Sequence, residues 1–342
     1  MAARDIEYVE YFAGEAAAAV DYFSTSFGFT PVARNAAAAT DSVLLTQGTV
    51  RLVITSGPGA EDFLAKHGDG IADIAISCDD PERSWRAAAS AGALVSRSEH
   101  GRPVIPGFGD VSHTLLPHAA AGSLRHLPHG AGWRLLNSPR TPATSGRIHV
   151  LDHVAVCIEG GTLDAVADYY GAALGLGRYS SEYVAVGDQA MDSIVVRSDS
   201  DLVTFTLVAP VPGKSPGQLD GFLGRNSGPG VQHLAFLVDE IIPAVREYRD
   251  RGVEFLDTPD GYYDALAERF AGMREEIDDL RAVNVLADRD EWGYLLQLFT
   301  RSATERNTMF CELIQRRGSK GFGSSNIRAL YEAVERDRLV VE

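Results

Sequence analysis

The chain has 342 residues, of which 45% are hydrophobic and 23% charged, which excludes a disordered or collagen-like polypeptide and fits two globular domains better than one core. Its 31 Lys and Arg stand against 47 Asp and Glu, a net charge of −16, and no basic block offsets it, so nucleic acid is not an expected partner. Apolar runs such as Ile194-Val195-Val196 are far shorter than the ~20 residues of a membrane span, so no membrane partner is expected either.

In chain order, the first residues show no basic region followed by a long apolar stretch, and a cytoplasmic protein is the expectation. Residues 6–12 alternate as a strand does, 15–27 read as an Ala-rich amphipathic helix, and 29–32, 42–47 and 50–55 read as short strands between Gly and polar turns. This β-α-β-β-β order returns after Gly68-Asp69-Gly70, with a strand over 72–77, a helix over 81–91 capped by Asp79 or Asp80, and strands around 93–96 and over 111–116. A third copy begins at Ile148, with a strand over 149–158, a helix over 163–174, and strands over 179–186, 192–197 and 203–209. The fourth follows Gly228-Pro229-Gly230, with a strand over 231–238, a helix over 242–251, a strand near 253–256 and late strands over 294–299 and 310–315. Four copies of one unit make an α+β protein of two paired halves.

The Ala-, Gly-, Pro-, His- and Ser-rich stretch from 118 to 145 has no sustained period and reads as a long loop between the halves. The expected organisation is a first domain over 1–120, a linker over 121–147 and a second domain over 148–342. The fourth copy carries an insertion over 258–281, with Tyr262-Tyr263 ahead of helical spacing over 265–280. Residues 326–338 are expected to form a helix with Ile327, Leu330, Tyr331 and Val334 on one face. Cys78, Cys157 and Cys311 are far apart and form no CxxC pair, so neither a disulfide framework nor a thiolate zinc site is indicated.

Superposing the halves on their strand patterns locates the chemistry. Leu151-Asp152-His153-Val154 falls over Ile6-Glu7-Tyr8-Val9, and Gly230-Val231-Gln232-His233 over Gly70-Ile71-Ala72-Asp73. His153 and His233 therefore hold one pattern position in the third and fourth copies, where the first half has Tyr8 and Asp73. A single strand histidine is most often a satisfied core residue, but two at equivalent points of tandem copies converge on a shared cleft if the copies are related by a pseudo-twofold. Glu312 lies in the apolar run Met309-Phe310-Cys311-Glu312-Leu313-Ile314, where a carboxylate is costly unless paired. Two imidazoles and a carboxylate form the facial triad of non-haem Fe(II) oxygenases, although a zinc hydrolase uses the same ligand types.

These residues carry a resemblance. Leu151-Asp152-His153-Val154, Gly230-Val231-Gln232-His233, Tyr294-Leu295-Leu296-Gln297-Leu298-Phe299, Phe310-Cys311-Glu312-Leu313-Ile314-Gln315-Arg316 and Gly321-Phe322-Gly323-Ser324-Ser325-Asn326 resemble, in order, the catalytic half of the 4-hydroxyphenylpyruvate dioxygenase family of the vicinal-oxygen-chelate fold. Gly107-Phe108-Gly109-Asp110 extends the resemblance into the first half. It implies four βαβββ modules paired into two open barrels, Fe(II) held by His153, His233 and Glu312, and 4-hydroxyphenylpyruvate and O2 as substrates. It also implies a substrate site lined by Ser193, Thr206, Val208, Gln218, Gln232, Gln297, Phe322 and Ile327. Gln232 is the odd member, because strand alternation places it opposite His233.

Members of the family either attack the ring of the substrate to give homogentisate or hydroxylate its benzylic carbon to give 4-hydroxymandelate. Where ring-attacking members have Pro-x-Asn-Glu-Pro, this chain has Thr206-Leu207-Val208-Ala209-Pro210, and where they end a motif on an aromatic residue it has Ile327. Both features resemble the mandelate-forming members, whose product supplies hydroxyphenylglycine for nonribosomal peptide antibiotics. Val208 offers no hydrogen bond and Ile327 no flat face, so the phenol ring is expected to settle differently. A non-catalytic protein that sequesters a small aromatic ligand remains an alternative on fold alone. Asp192 stands where the family more often has Asn, and alternation turns it away from Ser193, as it turns Cys311 away from Glu312. The ligand-free first half offers a surface for self-association into a homodimer.

Overall fold

The computed structural model describes residues 2–36, 40–118, 128, 132–136, 146–270, 274–323 and 326. The first sheet has nine strands: β1 (Ala3–Phe12), β2 (Thr30–Ala36), β3 (Asp41–Gln47), β4 (Val50–Ser56), β5 (Gly70–Cys78), β6 (Ser96–Arg97), β7 (Pro103–Pro106), β8 (Ser112–Pro117) and β9 (Arg134–Leu135), in the order β6-β7-β8-β5-β1-β4-β3-β2-β9. The second has eight: β10 (Ile148–Cys157), β11 (Gly177–Val186), β12 (Gln189–Arg197), β13 (Thr204–Pro210), β14 (Gly230–Val238), β15 (Leu286–Arg289), β16 (Tyr294–Phe299) and β17 (Phe310–Arg317), in the order β11-β12-β13-β10-β14-β17-β16-β15.

Both sheets follow one plan. An antiparallel central pair, β1 with β5 or β10 with β14, is flanked on each side by a parallel neighbour, β4 and β8 or β13 and β17. Helices close one face, α1 (Ala16–Asp21) and α6 (Ile241–Asp250) among them. In α4 (Leu163–Leu174), Leu163, Ala167, Tyr170 and Leu174 are buried along one stripe, and the helix stops at Gly175 with φ +71°, a conformation glycine adopts without the Cβ penalty. Asp80 is the cap of α3 (Pro81–Ser90) and accepts from the Arg83 N–H at 3.0 Å, while Asp79 pairs with Arg4.

The helix-covered faces of the halves pack together. Phe27 and Phe29 meet Phe236, Phe27 meets Tyr248, and Phe108 meets Phe205, all within 5.4–6.5 Å between ring centroids. His113 on β8 donates through Nδ1 to the Ile74 carbonyl (3.0 Å), which leaves Nε2 as acceptor for the Tyr170 hydroxyl of α4 at 2.8 Å.

Several expectations are corrected. The helix expected over 15–27 is an α-turn over Ala16–Asp21 that widens into a π-turn over Tyr22–Ser26. The stretch expected as a linker or long loop contributes β9, which pairs with β2, and Trp133 beside it packs against the cluster of Tyr8, Ala33 and Leu44. The strand near 253–256 is a single bridge, Phe255 to Thr300. The strand after the insertion is β15, and the insertion forms two helices, α7 (Asp260–Arg269) and α8 (Arg274–Ala282). The helices α2 (Glu61–His67) and α5 (Gln218–Asn226), together with β7, were absent from the pattern reading. Residues 327–338 of the expected C-terminal helix, Ile327 included, lie outside the described residues.

Candidate metal centre and its cavity

The centre is built on three adjacent inner strands of the second sheet, β10, β14 and β17. His153 on β10 and His233 on β14 bring their ring centroids to 5.5 Å at an interplanar angle of 76°, and Glu312 reaches them from β17. Its Oε2 lies 3.3 Å from His153 Nε2 and 3.1 Å from His233 Nε2. The ligand atoms of the three residues lie within 4.8 Å of one another, and all three side chains are buried. Among the described residues this is the one His, Cys, Asp and Glu group of that kind.

A sheet alternates, so neighbours in sequence face opposite sides, yet Asp152 sits beside His153 and Gln232 lines the same cavity as His233. The pairing of β10 with β14 explains both. Leu151 faces Phe236 and His153 faces Ala235, which leaves Asp152 as an extra residue; Ala155 faces His233 and Val156 faces Val231, which leaves Gln232 extra. A β-bulge re-aims a side chain at each point, which reverses the expectation that Gln232 faces away from His233.

Asp152 uses its bulge to brace His153. Its Oδ1 accepts from His153 Nδ1 at 2.9 Å, and its two oxygens take Arg316 Nη2 at 2.8 Å and Nε at 2.7 Å. Arg316 also donates to the carbonyl of Gly321 at 2.6 Å and lies over the Phe322 ring at 5.2 Å. In its neutral form His153 keeps its proton on Nδ1 and presents an Nε2 lone pair to the cluster, the orientation that a carboxylate bonded behind a metal-binding histidine imposes. Burial opposes the charge of Asp152, but Arg316 and His153 outweigh it and hold the carboxyl well below its usual range.

Glu312 shows the same competition. Burial would raise its pKa, yet the two imidazoles bring it down to about 2. Burial alone would lower His153, and the charge of Glu312 with the Asp152 hydrogen bond pushes it up to about 9 instead. Burial pushes His233 down. The other oxygen of Glu312 accepts from Gln297 Nε2 at 2.8 Å. Phe310 stacks on His233 at 4.9 Å, Phe299 meets its edge at 5.8 Å, and Phe322 meets the His153 ring at 5.2 Å.

This donor set fits a divalent metal. His233 Nε2 is within 3.1 Å of Glu312 Oε2, but neither ring nitrogen of His233 makes an aligned hydrogen bond and both are shut away from water. A buried imidazole with no hydrogen-bond partner, beside an ionised carboxylate and a second imidazole, is costly unless a cation takes the lone pairs.

The centre opens into a cavity of about 880 Å³. Ser193, Thr206, Val208, Gln218, Gln232, Gln297 and Phe322 line it along with the three candidate ligands. Ser193 and Val208 are direct partners on β12 and β13, Thr206 faces Ala155 of β10, and the Thr206 hydroxyl has no protein partner. Neither Asp192 nor Cys311 lines the cavity. Asp152, Arg316, Asn326 and Phe310 escaped the sequence reading as members of the site. Arg316 and Asn326 stand inside the motifs quoted above, and a lone buried Asp next to a candidate ligand was the available signal for Asp152.

The equivalent place in the first half lacks the chemistry. Asp73 lies opposite Ser112 as His233 lies opposite Phe310, so Thr114 stands where Glu312 does. Asp73 accepts from the Ser112 hydroxyl and the Thr114 N–H, and Tyr8 fills the position of His153.

The paired modules, the inner-strand ligand cluster and the adjoining cavity define a vicinal-oxygen-chelate protein. Residues 150–298 match the glyoxalase/bleomycin resistance protein/dioxygenase superfamily model, and residues 1–117 match the N-terminal model of hydroxyphenylpyruvate dioxygenase. The chain is 32% identical to a 4-hydroxyphenylpyruvate dioxygenase of Yarrowia lipolytica, over 98% of this chain and 92% of that one, and 31% identical to one of Neurospora crassa, over 97% and 91%. A mutant of 4-hydroxymandelate synthase from Streptomyces coelicolor has a similar structure, with 46% identity and a TM-score of 0.88 over 98% of this chain and 99% of that one. The chain is an enzyme of the 4-hydroxyphenylpyruvate dioxygenase family.

Proposed function

We propose that the protein is an Fe(II)-dependent 4-hydroxymandelate synthase, converting 4-hydroxyphenylpyruvate and O2 to 4-hydroxymandelate and CO2, with His153, His233 and Glu312 as its metal ligands. The observation that carries the product choice is the cavity wall on β13: Val208, buried and apolar, with Thr206 two residues before it. The 46% identity to a mandelate synthase, against 32% and 31% for the two dioxygenases named above, supports the same choice.

When bound, iron supplies the means to reduce O2 with electrons from the 2-oxo acid of the substrate, so no separate reductant is required. The protein's part is placement. Asp152 fixes the His153 tautomer, Gln297 occupies one oxygen of Glu312 and leaves the other to the metal, and Phe299, Phe310 and Phe322 wall the centre from water. Thr206, Ser193 and Gln218 offer the phenol end a few polar groups in an otherwise apolar wall. Val208 leaves the ring without the amide partner that would hold its plane beside the reacting position, and the benzylic carbon lies nearest in a near-attack geometry. The product is a precursor of hydroxyphenylglycine for nonribosomal peptides.

The two products of the family are isomers, so a mass alone does not separate them. Iron-loaded protein incubated with 4-hydroxyphenylpyruvate under oxygen, with products assigned by proton NMR, is expected to yield 4-hydroxymandelate. Homogentisate as the main product would refute the synthase reading, and no turnover with metal bound would refute both activities.

A further inference from the structure

We propose that Tyr262, carried by the helix inserted in the fourth module, is a positioning residue for the metal centre. It is the outer anchor of a side-chain relay running Tyr262, Asn326, Gln297, Glu312 that aims one oxygen of Glu312 at the imidazoles. This rests on the metal reading given above.

The relay is continuous. The Tyr262 hydroxyl lies 2.8 Å from Asn326 Oδ1, Asn326 Nδ2 donates to Gln297 Oε1 at 2.9 Å, and Gln297 Nε2 donates to Glu312 Oε1 at 2.8 Å. Glu312, Asn326 and Gln297 are 1%, 1% and 3% exposed, so water cannot replace a lost partner.

Its polarity is set from both ends. An ionised Glu312 accepts only, so Gln297 must turn its amide nitrogen inward and its carbonyl outward. Asn326 must then donate to that carbonyl, which turns its own carbonyl toward Tyr262, and the tyrosine supplies the proton. The Tyr262 hydroxyl is held on the outer edge of β15, where it accepts the Ala287 N–H at 2.8 Å and its one proton is shared between the Ala287 carbonyl at 2.9 Å and Asn326 Oδ1 at 2.8 Å. Remove the hydroxyl and Asn326 Oδ1 loses its donor. Asn326 can then flip, Gln297 can follow, and a carbonyl would face the carboxylate.

Gly323 guards the middle of the relay. It has φ +77°, and a Cβ there would stand 2.0 Å from Gln297 Oε1. The relay therefore links the inserted helix α7 to the ligand carboxylate through Asn326, which is not part of the cavity lining, and Gln297, which is, and contacts that support a metal ligand from behind alter metal affinity by about 10–100-fold when removed.

The test titrates the metal-free full chain with Co(II), read by calorimetry and by the visible ligand-field bands. Tyr262→Phe is expected to weaken Co(II) binding about tenfold and to shift those bands. Tyr263→Phe removes a hydroxyl from the same helix outside the relay and is expected to bind as the parent does. Asn326→Ala breaks the relay from a different segment and should match Tyr262→Phe, which keeps the test open if loss of the Ala287 contact impairs folding of the tyrosine variant. Parental affinity and bands in Tyr262→Phe or in Asn326→Ala overturn the relay alone. Parental protein whose Co(II) binding is unaffected by His233→Ala overturns the metal reading and the relay together.

Discussion

Asp152→Asn is the sharpest probe of how the centre is held. The carboxylate serves three donors: His153 Nδ1, Arg316 Nη2 and Arg316 Nε, at 2.9, 2.8 and 2.7 Å. An asparagine has one acceptor oxygen and one donor group in the same space. With the oxygen kept on the His153 side, its NH2 confronts the Arg316 Nε–H; flipped, it confronts His153 Nδ1 and drives the ring proton onto Nε2, the atom that must stay free for metal. Breaking a buried ion pair by neutralising one partner costs about 3–5 kcal/mol. Arg316 keeps the carbonyls of Ser319 and Gly321 at 3.3 and 2.6 Å, so a loss near the lower end, about 3 kcal/mol, is expected in urea denaturation of the metal-free protein. Fe(II) or Co(II) affinity should fall about 10–100-fold by calorimetry. Affinity within twofold of the parent, with the denaturation midpoint unmoved, would refute the account of Asp152 as the brace of His153.

Three further outcomes are expected. Val208→Asn, alone and with Ile327→Phe, should move product toward homogentisate or leave O2 consumption uncoupled from product, read by NMR and an oxygen electrode; an unchanged product ratio would mean the wall does not steer the ring. Gly323→Ala should cost about 1–2 kcal/mol for a left-handed alanine and, by displacing Gln297, weaken metal binding, whereas an unchanged metal affinity would show that Gln297 has room to give. His113 is fully buried, and burial brings its pKa down to about 4 from about 6.5 in the unfolded chain. Below pH 6.5 the unfolded state takes up a proton that the fold refuses, so the His113 contribution is complete above that pH and declines as pH falls toward 4, by up to about 3 kcal/mol. It is measured as the stability difference between the parent and His113→Gln across that window, in which the opposite dependence of Asp73, raised to about 7 by burial and Glu10, cancels; a difference that stays flat counts against it.

What could be read from sequence follows from which physics is local. Four modules were legible because strand alternation and helix periodicity repeat, and the two histidines because the repeat singled out one position twice. Glu312 was legible as a carboxylate too isolated in an apolar run to be there without a partner. The bulges at Asp152 and Gln232 were not, since each is a mismatch of one residue between strands some 80 positions apart and appears only in their pairing. The brace of Asp152 by Arg316 spans 164 residues, and β7 begins and ends on proline, which weighs against a strand by propensity. Two tyrosines in a row at 262 and 263 looked alike in sequence; only the edge of β15 distinguishes them, by giving one hydroxyl an N–H to accept.

The bulges also explain how one architecture holds a candidate metal site in one half and, among the described residues, none in the other. The first sheet has the same irregularities at the same places, with Glu7 extra between Ile6 and Tyr8, and Ala72 extra between Asp73 and Ile71. Backbone geometry able to aim three ligands inward is therefore present twice, and what differs is side-chain chemistry. Tyr8 is too long for the His153 role, Thr114 carries no charge where Glu312 does, and Asp73 spends an oxygen on Ser112 and Thr114. Trp133, delivered by β9, packs against the Tyr8 cluster on this face. Freed of ligands, the first half contributes elsewhere: Arg306, from the turn between β16 and β17 that lines the cavity, donates to the carbonyls of Lys66 and Ala65 at the end of α2, at 2.6 and 3.1 Å. One wall of the catalytic cavity is thus pinned to the half that has no metal ligands, and the second half's site is shaped by a contact it does not itself supply.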